Sequence, residues 1–167
     1  MNILSSLLSD VQLMFRRPPR QQYAALCYRT KKKTGELEVM LATSRDTGRW
    51  IIPKGWPMAG KAAHEAAERE ALEEAGVAGK IHEKPLGFYN YNKALKDGLC
   101  VTCQVQVYPL EVIGTARKFK EKGERRIEWV SCQEAAARVQ EPQLKALFYL
   151  FERQMGQINL ADRLAAE

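Results

Sequence analysis

The stretch that decides the fold runs from Gly55 to Val77 and reads GWPMAGKAAHEAAEREALEEAGV. Its second half carries Glu70, Glu73 and Glu74, which stand at positions i, i+3 and i+4 of a predicted helix. Side chains at this spacing share one face of an α-helix, so the three carboxylates can converge on one hard cation such as Mg2+. The stretch therefore predicts a site for a divalent metal and a pyrophosphate group.

The residues on either side of the glutamates help to interpret them. A solvated acidic face needs no metal, because like charges four residues apart cost only about 0.2 to 0.5 kcal/mol per pair. Gly76 and Val77, however, indicate a helix end followed by a chain that re-enters the core. Ahead of the helix, residues 50–57 predict a short strand and then a loop in which Gly55 lets the backbone approach a ligand closely. This setting favours a metal site.

At these positions the chain resembles the Nudix hydrolases, whose box is a glycine, five residues, a glutamate, seven residues and then REUXEEXGU, with U a bulky aliphatic residue. The positions that match in register are Gly55, Arg69, Glu70, Glu73, Glu74, Gly76 and Val77. Lys61 stands where the box has its first glutamate, and Ala71 replaces the bulky aliphatic residue. The resemblance implies an α/β fold, an α/β/α sandwich around a mixed β-sheet, and cleavage of substrates in which a diphosphate is linked to another group.

The resemblance also assigns roles to particular residues. It implies Mg2+, with Mn2+ as a substitute, and a metal set of Glu70, Glu73, Glu74 and the Gly55 carbonyl. Arg69 is expected to pair with a carboxylate of the box. The general base is expected at Glu70 or on the run FKEKGERRIEW, which offers Glu121, Glu124 and Glu128. Metal-bound chemistry of this kind neutralises phosphate charge and activates water.

Sequence outside the box narrows the resemblance to one branch of the family. The runs AALCYR, ATSRDTGRWIIPKG, EEAGVAGK and RRIEWVSCQEAAARV are similar to the diphosphoinositol polyphosphate and diadenosine polyphosphate branch. Substrate contacts are expected from Ser44, Arg45, Arg49, Lys54 and Trp56. The alternative for the first three is a hairpin turn with solvated charge, because DTG is good turn chemistry.

Two features bear on the substrate. Gln21 and Gln22 precede the first strand, where the inositol enzymes tend to carry lysine or arginine. Aromatic side chains that can stack on a base are available at Trp56, Tyr89 and Tyr91. The expected substrate is therefore a dinucleoside polyphosphate such as diadenosine tetraphosphate or pentaphosphate. A diphosphoinositol polyphosphate is the first alternative, and a non-catalytic domain that binds nucleotide or RNA is the second.

The charge of the chain agrees with an anionic small-molecule partner. The 167 residues carry a formal net charge of +6, and the basic excess gathers in residues 16–20, 31–33 and 117–126. These runs are interpreted first as solvated surface, second as a funnel for phosphates and third as a nucleic-acid face. Nucleic acid is disfavoured because no recognisable nucleic-acid-binding motif accompanies them.

The organisation of the chain is predicted from its periodicity. Residues 1–20 predict a helical extension, 21–155 the hydrolase domain and 156–167 a C-terminal tail. Strands are expected at 23–29, 36–42, 50–52, 80–91, 99–112 and 126–130, with one or two helices after Ser131. Four cysteines are interpreted as buried free thiols, with Cys100 and Cys103 on opposite sides of a strand. No signal peptide or membrane span is evident, so a cytoplasmic enzyme is expected.

Overall fold

The computed structural model describes residues 18 to 166, which form a mixed β-sheet and three helices. The strands are β1 Arg20–Thr30, β2 Leu37–Thr43, β3 Trp50–Ile51, β4 Lys54–Gly55, β5 Val77–Ile81, β6 Gly87–Ala94, β7 Cys100–Thr115 and β8 Ile127–Val130. The helices are α1 Ala63–Ala75, α2 Cys132–Arg138 and α3 Pro142–Ala165.

Strands β1 and β7 form the centre of the sheet and pair in parallel. Strands β2 and β4 pair antiparallel with the edge of β1 that faces away from β7. Strands β5 and β6 pair antiparallel with the edge of β7 that faces away from β1. Along β1, Ala24 and Leu26 enter one core while Ala25 and Cys27 enter the other. A strand covered on both faces is expected to be continuously apolar, which explains the run AALCY.

The helices cover the two faces of the sheet, so the predicted α/β/α sandwich is confirmed. Helix α1 packs on one face through Ala67, Ala71 and Ala75, whose small side chains let the helix lie close to the strands. Ala71 is fully buried there, so the departure from a bulky aliphatic residue is accommodated by close packing. Helices α2 and α3 cover the other face, with Leu144 and Phe148 completely buried.

Local chemistry sets the ends of α1. At its start the Glu65 side chain accepts a hydrogen bond from the backbone nitrogen of Ala62 at 2.7 Å. At its end Gly76 adopts φ of 67°, a left-handed conformation that favours glycine, and this confirms the predicted helix end. The ring of Phe119 occupies the space where a Cβ at Gly76 would lie, so the segment 117–126 is packed against the end of α1.

The structure corrects several expectations. The predicted strand 80–91 is two strands, β5 and β6, which pair with different halves of β7 because the segment around Pro85 interrupts them. Residues 156–165 continue helix α3 instead of forming the separate C-terminal tail that the sequence predicts. The predicted N-terminal helix lies outside the described residues. Cys27, Cys103 and Cys132 are buried free thiols as predicted, but Cys100 is exposed, so its predicted burial is wrong; it lies on the opposite side of β7 from Cys103. Within residues 18–166 no helix is both long and apolar enough to cross a membrane.

Candidate active site

The site begins where Glu70 meets the backbone of β4. Gly55 pairs with Tyr23 of β1, which fixes its position at the centre of the sheet. A Cβ built on Gly55 would lie 1.9 Å from Glu70 Oε1, so only glycine leaves room for this carboxylate. Burial raises the pKa of Glu70, and the charges of Glu73 and Glu121 raise it further. The loop and the helix of the box therefore meet at a carboxylate placed against the backbone.

Glu74 lies one turn further along α1 and is buried. The residue is only 7% exposed, so at this position α1 does not present a solvated acidic face. Its Oε1 lies 3.4 Å from Arg125 Nη2, while its buried Oε2 has no hydrogen-bond partner. Burial raises the pKa of Glu74 against the opposing effects of Arg125 and Lys54. A buried carboxylate with an unsatisfied oxygen calls for a further partner.

Glu121 joins this pair from the segment that follows β7. Its backbone nitrogen donates to the carbonyl oxygen of Glu73 at 3.0 Å, which anchors the segment to α1. Its Oε2 accepts from Arg125 Nε at 3.0 Å, and its Oε1 lies 3.0 Å from Arg45 Nη1. Of the three base candidates, Glu121 is thus the one that the structure brings to the buried carboxylates.

Arg125 is a functional residue that sequence analysis missed. Its side chain is 6% exposed and it lies between Glu74 and Glu121. The surrounding sequence GERRIEW places two adjacent arginines between two glutamates, so nothing in it distinguishes the buried arginine from its exposed neighbour. Arg125 is buried only because the segment 117–126 folds back across the end of α1.

Glu73 is placed differently from Glu70 and Glu74. Arg69 Nε donates to its Oε1 at 2.7 Å, and Lys120 Nζ lies 3.6 Å from its Oε2. The hydrogen bond from Arg69 holds the pKa of Glu73 below its ordinary value. Arg69 therefore pairs with a carboxylate of the box as predicted. Each oxygen of the Glu73 carboxylate faces one positively charged side chain, Arg69 or Lys120.

The donor set suits a hard divalent cation. Within residues 18–166 no three His, Cys, Asp or Glu side chains form a preassembled metal site. Arg125 nevertheless contacts both Glu74 and Glu121, and Glu70 lies one turn before Glu74 on α1, so the three carboxylates share one region. Carboxylate and carbonyl oxygens are the ligands that Mg2+ takes in proteins. The unsatisfied oxygen of Glu74 and the carboxylate packed on Gly55 fit such an ion.

A second cluster of polar residues adjoins the carboxylates. Arg49 Nη1 lies 2.5 Å from Oε1 of the buried Glu141, at the start of α3. Lys54 Nζ lies 5.1 Å from the ring centre of Tyr91, whose hydroxyl donates to Gln22 Oε1 at 2.7 Å. Burial lowers the pKa of Lys54, and its largest favourable charge interaction is with Glu74. Lys54 therefore links this cluster to the carboxylates.

The other residues predicted to contact the substrate, which are Ser44, Arg45 and Trp56, lie around the outer edge of the site. Ser44 Oγ is 2.6 Å from Thr47 Oγ1 and accepts from its backbone nitrogen, so Ser44 closes the hairpin turn. Arg45 is exposed and pairs with Glu121 and Glu124. Trp56 is 39% exposed, and its ring lies 5.0 Å from Lys93 Nζ.

Two predictions fail on geometry. Tyr89 is 1% exposed and belongs to the core, so it offers no surface to a base. Glu128 lies on β8, where it pairs with Arg126 and Arg138. Arg138 ties Glu128 to the end of α2 rather than to the carboxylates on α1. The remaining base candidate, Glu124, is exposed and pairs with Arg45.

Comparison with known proteins agrees with this arrangement. Residues 19–151 match the family model of the NUDIX domain. The chain belongs to the Nudix family. This Nudix chain is 34% identical over 122 residues to Nudix hydrolase 21, chloroplastic, of Arabidopsis thaliana, covering 70% of this chain and 58% of the relative. It is 32% identical over 119 residues to human diphosphoinositol polyphosphate phosphohydrolase 3-beta, covering 70% of this chain and 66% of that protein.

The Nudix fold is also seen in solved structures. The Ap4A hydrolase of C. elegans superimposes with a TM-score of 0.59 at 19% identity, covering 83% of this chain and 99% of that one. The NUDIX domain of Shewanella oneidensis NrtR, solved with ADP ribose, gives a TM-score of 0.61 at 14% identity over 93% of this chain and 99% of that one. The Nudix chain spans a little over half the length of the first three plant relatives.

Proposed function

We propose that this Nudix protein is a Mg2+-dependent pyrophosphohydrolase. The observation that carries the proposal is that Glu70 packs against Gly55 while Glu74, one turn further along α1, is buried with one carboxylate oxygen left without a partner. Glu70, Glu74 and the Gly55 carbonyl would hold the ion, and Glu73 would join them on leaving Arg69. When bound, the ion supplies neutralisation of phosphate charge and activation of water.

The protein's own residues supply proton transfer and orientation. Glu121 is the best placed acceptor for a proton from water, because it lies on a segment anchored to α1 and is oriented by two arginines. Arg45 is the more exposed of these arginines, at 54% of its side chain. It is therefore positioned to exchange a carboxylate partner for a substrate phosphate, and charge-assisted bonds of this kind contribute about 1.5 to 3 kcal/mol.

A dinucleoside polyphosphate is the substrate we propose. Gln22 is buried and bonded to Tyr91, while Gln21 Nε2 donates to the carbonyl oxygens of Gln22 and Gln104. Neither residue offers a positive charge to a dense ring of phosphates. Trp56 presents an exposed ring for a base.

A diphosphoinositol polyphosphate is the second candidate. Arg49, Lys54 and Lys93 gather around the rings of Tyr91 and Trp56, and several cations close together suit a multiply phosphorylated ring. Parallel assays of diadenosine tetraphosphate and diphosphoinositol pentakisphosphate at equal Mg2+ decide between them. A higher kcat/KM for the inositol compound would reject the argument from Gln21 and Gln22.

The proposed activity is tested by Glu74→Gln, with Glu68→Gln as the matched control on the same helix. Glu68 lies in the outer groove of α1 with Leu72 and Val77, away from the carboxylates. We expect Glu74→Gln to lower kcat about 10^2-fold, or roughly 2.7 kcal/mol, without loss of the folded state, while the control retains wild-type kcat. Near wild-type turnover of Glu74→Gln at saturating Mg2+ would contradict the assignment.

The non-catalytic alternative has a separate test. A protein that binds Mn2+ and nucleotide without any cleavage of the nucleotide would support it. An RNA-binding function would be revealed by affinity that falls steeply as salt is raised, because basic surface binds phosphates through release of counterions.

A further inference from the structure

Arg125 is a buried cation among the carboxylates of the site. Its three donor nitrogens reach three different acceptors. Nε donates to Glu121 Oε2 at 3.0 Å, Nη1 donates to the Thr43 carbonyl oxygen at 3.0 Å, and Nη2 lies 3.4 Å from Glu74 Oε1. All three contacts lie out of solvent, because the side chain is only 6% exposed. The guanidinium thus joins the end of β2, helix α1 and the segment 117–126 at one point.

The position of Arg125 is set by the backbone rather than by the carboxylates alone. The backbone nitrogen of Thr43 donates to the carbonyl oxygen of Arg126 at 3.0 Å, and that of Arg126 donates to Thr43 Oγ1 at 2.9 Å. These two bonds fix the chain at Arg126, directly after Arg125, to the end of β2. The guanidinium is therefore a fixed cation toward which Glu74 and Glu121 are drawn.

Two consequences follow for a metal ion that binds Glu74 beside Glu121. Glu74 and Glu121 are held in place before any ion arrives, since a planar guanidinium bonds two carboxylates at defined angles. The same positive charge repels an incoming divalent ion and occupies one oxygen of each carboxylate. At low effective dielectric such repulsion is strong over a few ångströms.

We infer that Arg125 is a positioning residue that orients Glu74 and Glu121 for the reaction and at the same time weakens metal binding at the site. The inference rests on the proposed function, because it concerns Glu74, which would hold the ion, and Glu121, the proposed acceptor of a proton from water. Two properties of Arg125 have different effects. Its positive charge sets the metal affinity, and its forked geometry sets the orientation of the two carboxylates. A purely structural arginine would influence neither except through stability.

The test compares Arg125→Met, Arg125→Lys and the wild type, with Arg126→Met as the matched control. Arg126 is the adjacent residue, and its side chain points outward to Glu128 and is 76% exposed. Mn2+ binding is measured by electron paramagnetic resonance on the metal-free protein, turnover at saturating metal by product release, and folding by thermal denaturation.

We expect Arg125→Met to bind Mn2+ at least tenfold more tightly than the wild type while kcat falls at least tenfold. Arg125→Lys keeps the charge but lacks the fork, so its Mn2+ affinity should stay within about threefold of wild type while kcat still falls severalfold. Arg126→Met should change neither quantity. Unchanged or weaker Mn2+ binding by Arg125→Met would overturn the inference.

Three further outcomes are decisive. If Arg125→Met does not fold, Arg125→Lys carries the test alone, and wild-type kcat in that variant would overturn the role in orientation. If the wild type binds no Mn2+, the proposed function itself fails and the inference falls with it. If the wild type binds Mn2+ and turns over substrate but the Arg125 variants behave like Arg126→Met, only the inference fails.

Discussion

Replacing Gly55 by alanine should separate activity from stability in this protein. The added Cβ would lie 1.9 Å from Glu70 Oε1 and 2.8 Å from Oε2. An ordinary contact begins near 3.4 Å, so the carboxylate must move by about 1.5 Å (3.4 − 1.9). Glu70 can make this movement because the clash is with the far end of a flexible side chain.

The cost to folding should be small. Gly55 is not among the glycines with positive φ, so alanine can adopt its backbone conformation, and restriction of the unfolded chain by alanine favours folding by about 0.4 to 1 kcal/mol. The cost to catalysis should be large, because misplacement of a reacting group by about 1 Å can reduce the rate roughly 10^2-fold. That loss corresponds to about 2.7 kcal/mol in the activation free energy.

The assay is kcat at saturating Mg2+ alongside the melting temperature. Gly114→Ala is the control, because a Cβ there meets nothing within 4 Å and its φ is not positive. Shortening the acid should relieve the overlap, so Gly55→Ala combined with Glu70→Asp should lose less activity than the product of the two single losses. If Gly55→Ala keeps kcat within threefold of wild type, Glu70 is not a ligand at this place.

Three other changes have defined outcomes. Gly76→Ala should lower the free energy of unfolding by more than about 1 kcal/mol, because φ at this position is 67° and the added Cβ would meet Phe119 at 2.3 Å. A denaturant titration measures the loss, and an unchanged midpoint would contradict the expectation. Burial acts to raise the pKa of Glu38, but hydrogen bonds from Arg29 and Lys31 outweigh it and hold the pKa below the ordinary 4.5. The stabilisation should therefore be present above that pH and lost as pH falls through the lowered pKa, so the melting temperatures of wild type and Glu38→Gln should converge in acid; a constant difference would refute the ion pair. Lys61→Glu should change kcat/KM less than tenfold, or about 1.4 kcal/mol, and activation of a silent wild type would favour the non-catalytic alternative.

The parts of the fold that local chemistry dictates could be predicted from the sequence. The end of α1 at Gly76 requires a residue tolerant of positive φ, and the doubly buried β1 requires a continuous apolar run. The division of residues 80–91 into two strands could not be seen in the same way. Both segments contain residues suited to strands, and only their separate pairing with β7 distinguishes them.

The candidate site, too, could be predicted from the sequence only in part. Helical spacing places Glu70 and Glu74 one turn apart, which sequence can show, but it cannot show that Glu74 is buried. The burial of Glu74 comes from the segment carrying Glu121 and Arg125, which is about fifty residues away in sequence (121 − 74 and 125 − 74). Likewise Tyr89 and Tyr91 stand two residues apart on the same face of β6, and the sequence does not show that one ring is core while the other borders a cationic cluster.

The parallel pairing of β1 with β7 has a consequence during synthesis on the ribosome. Position 21 pairs with position 104, a separation of 83 residues (104 − 21). At about 5 to 20 residues per second, roughly 4 to 17 seconds pass between the emergence of β1 and that of its partner. Throughout that interval one edge of an apolar strand has no hydrogen-bonding partner, which is the condition under which nascent strands join other chains. Expression at lowered temperature or with a chaperone that shields the nascent chain should therefore raise the soluble yield, and β1 is where substitutions that reduce aggregation should be sought.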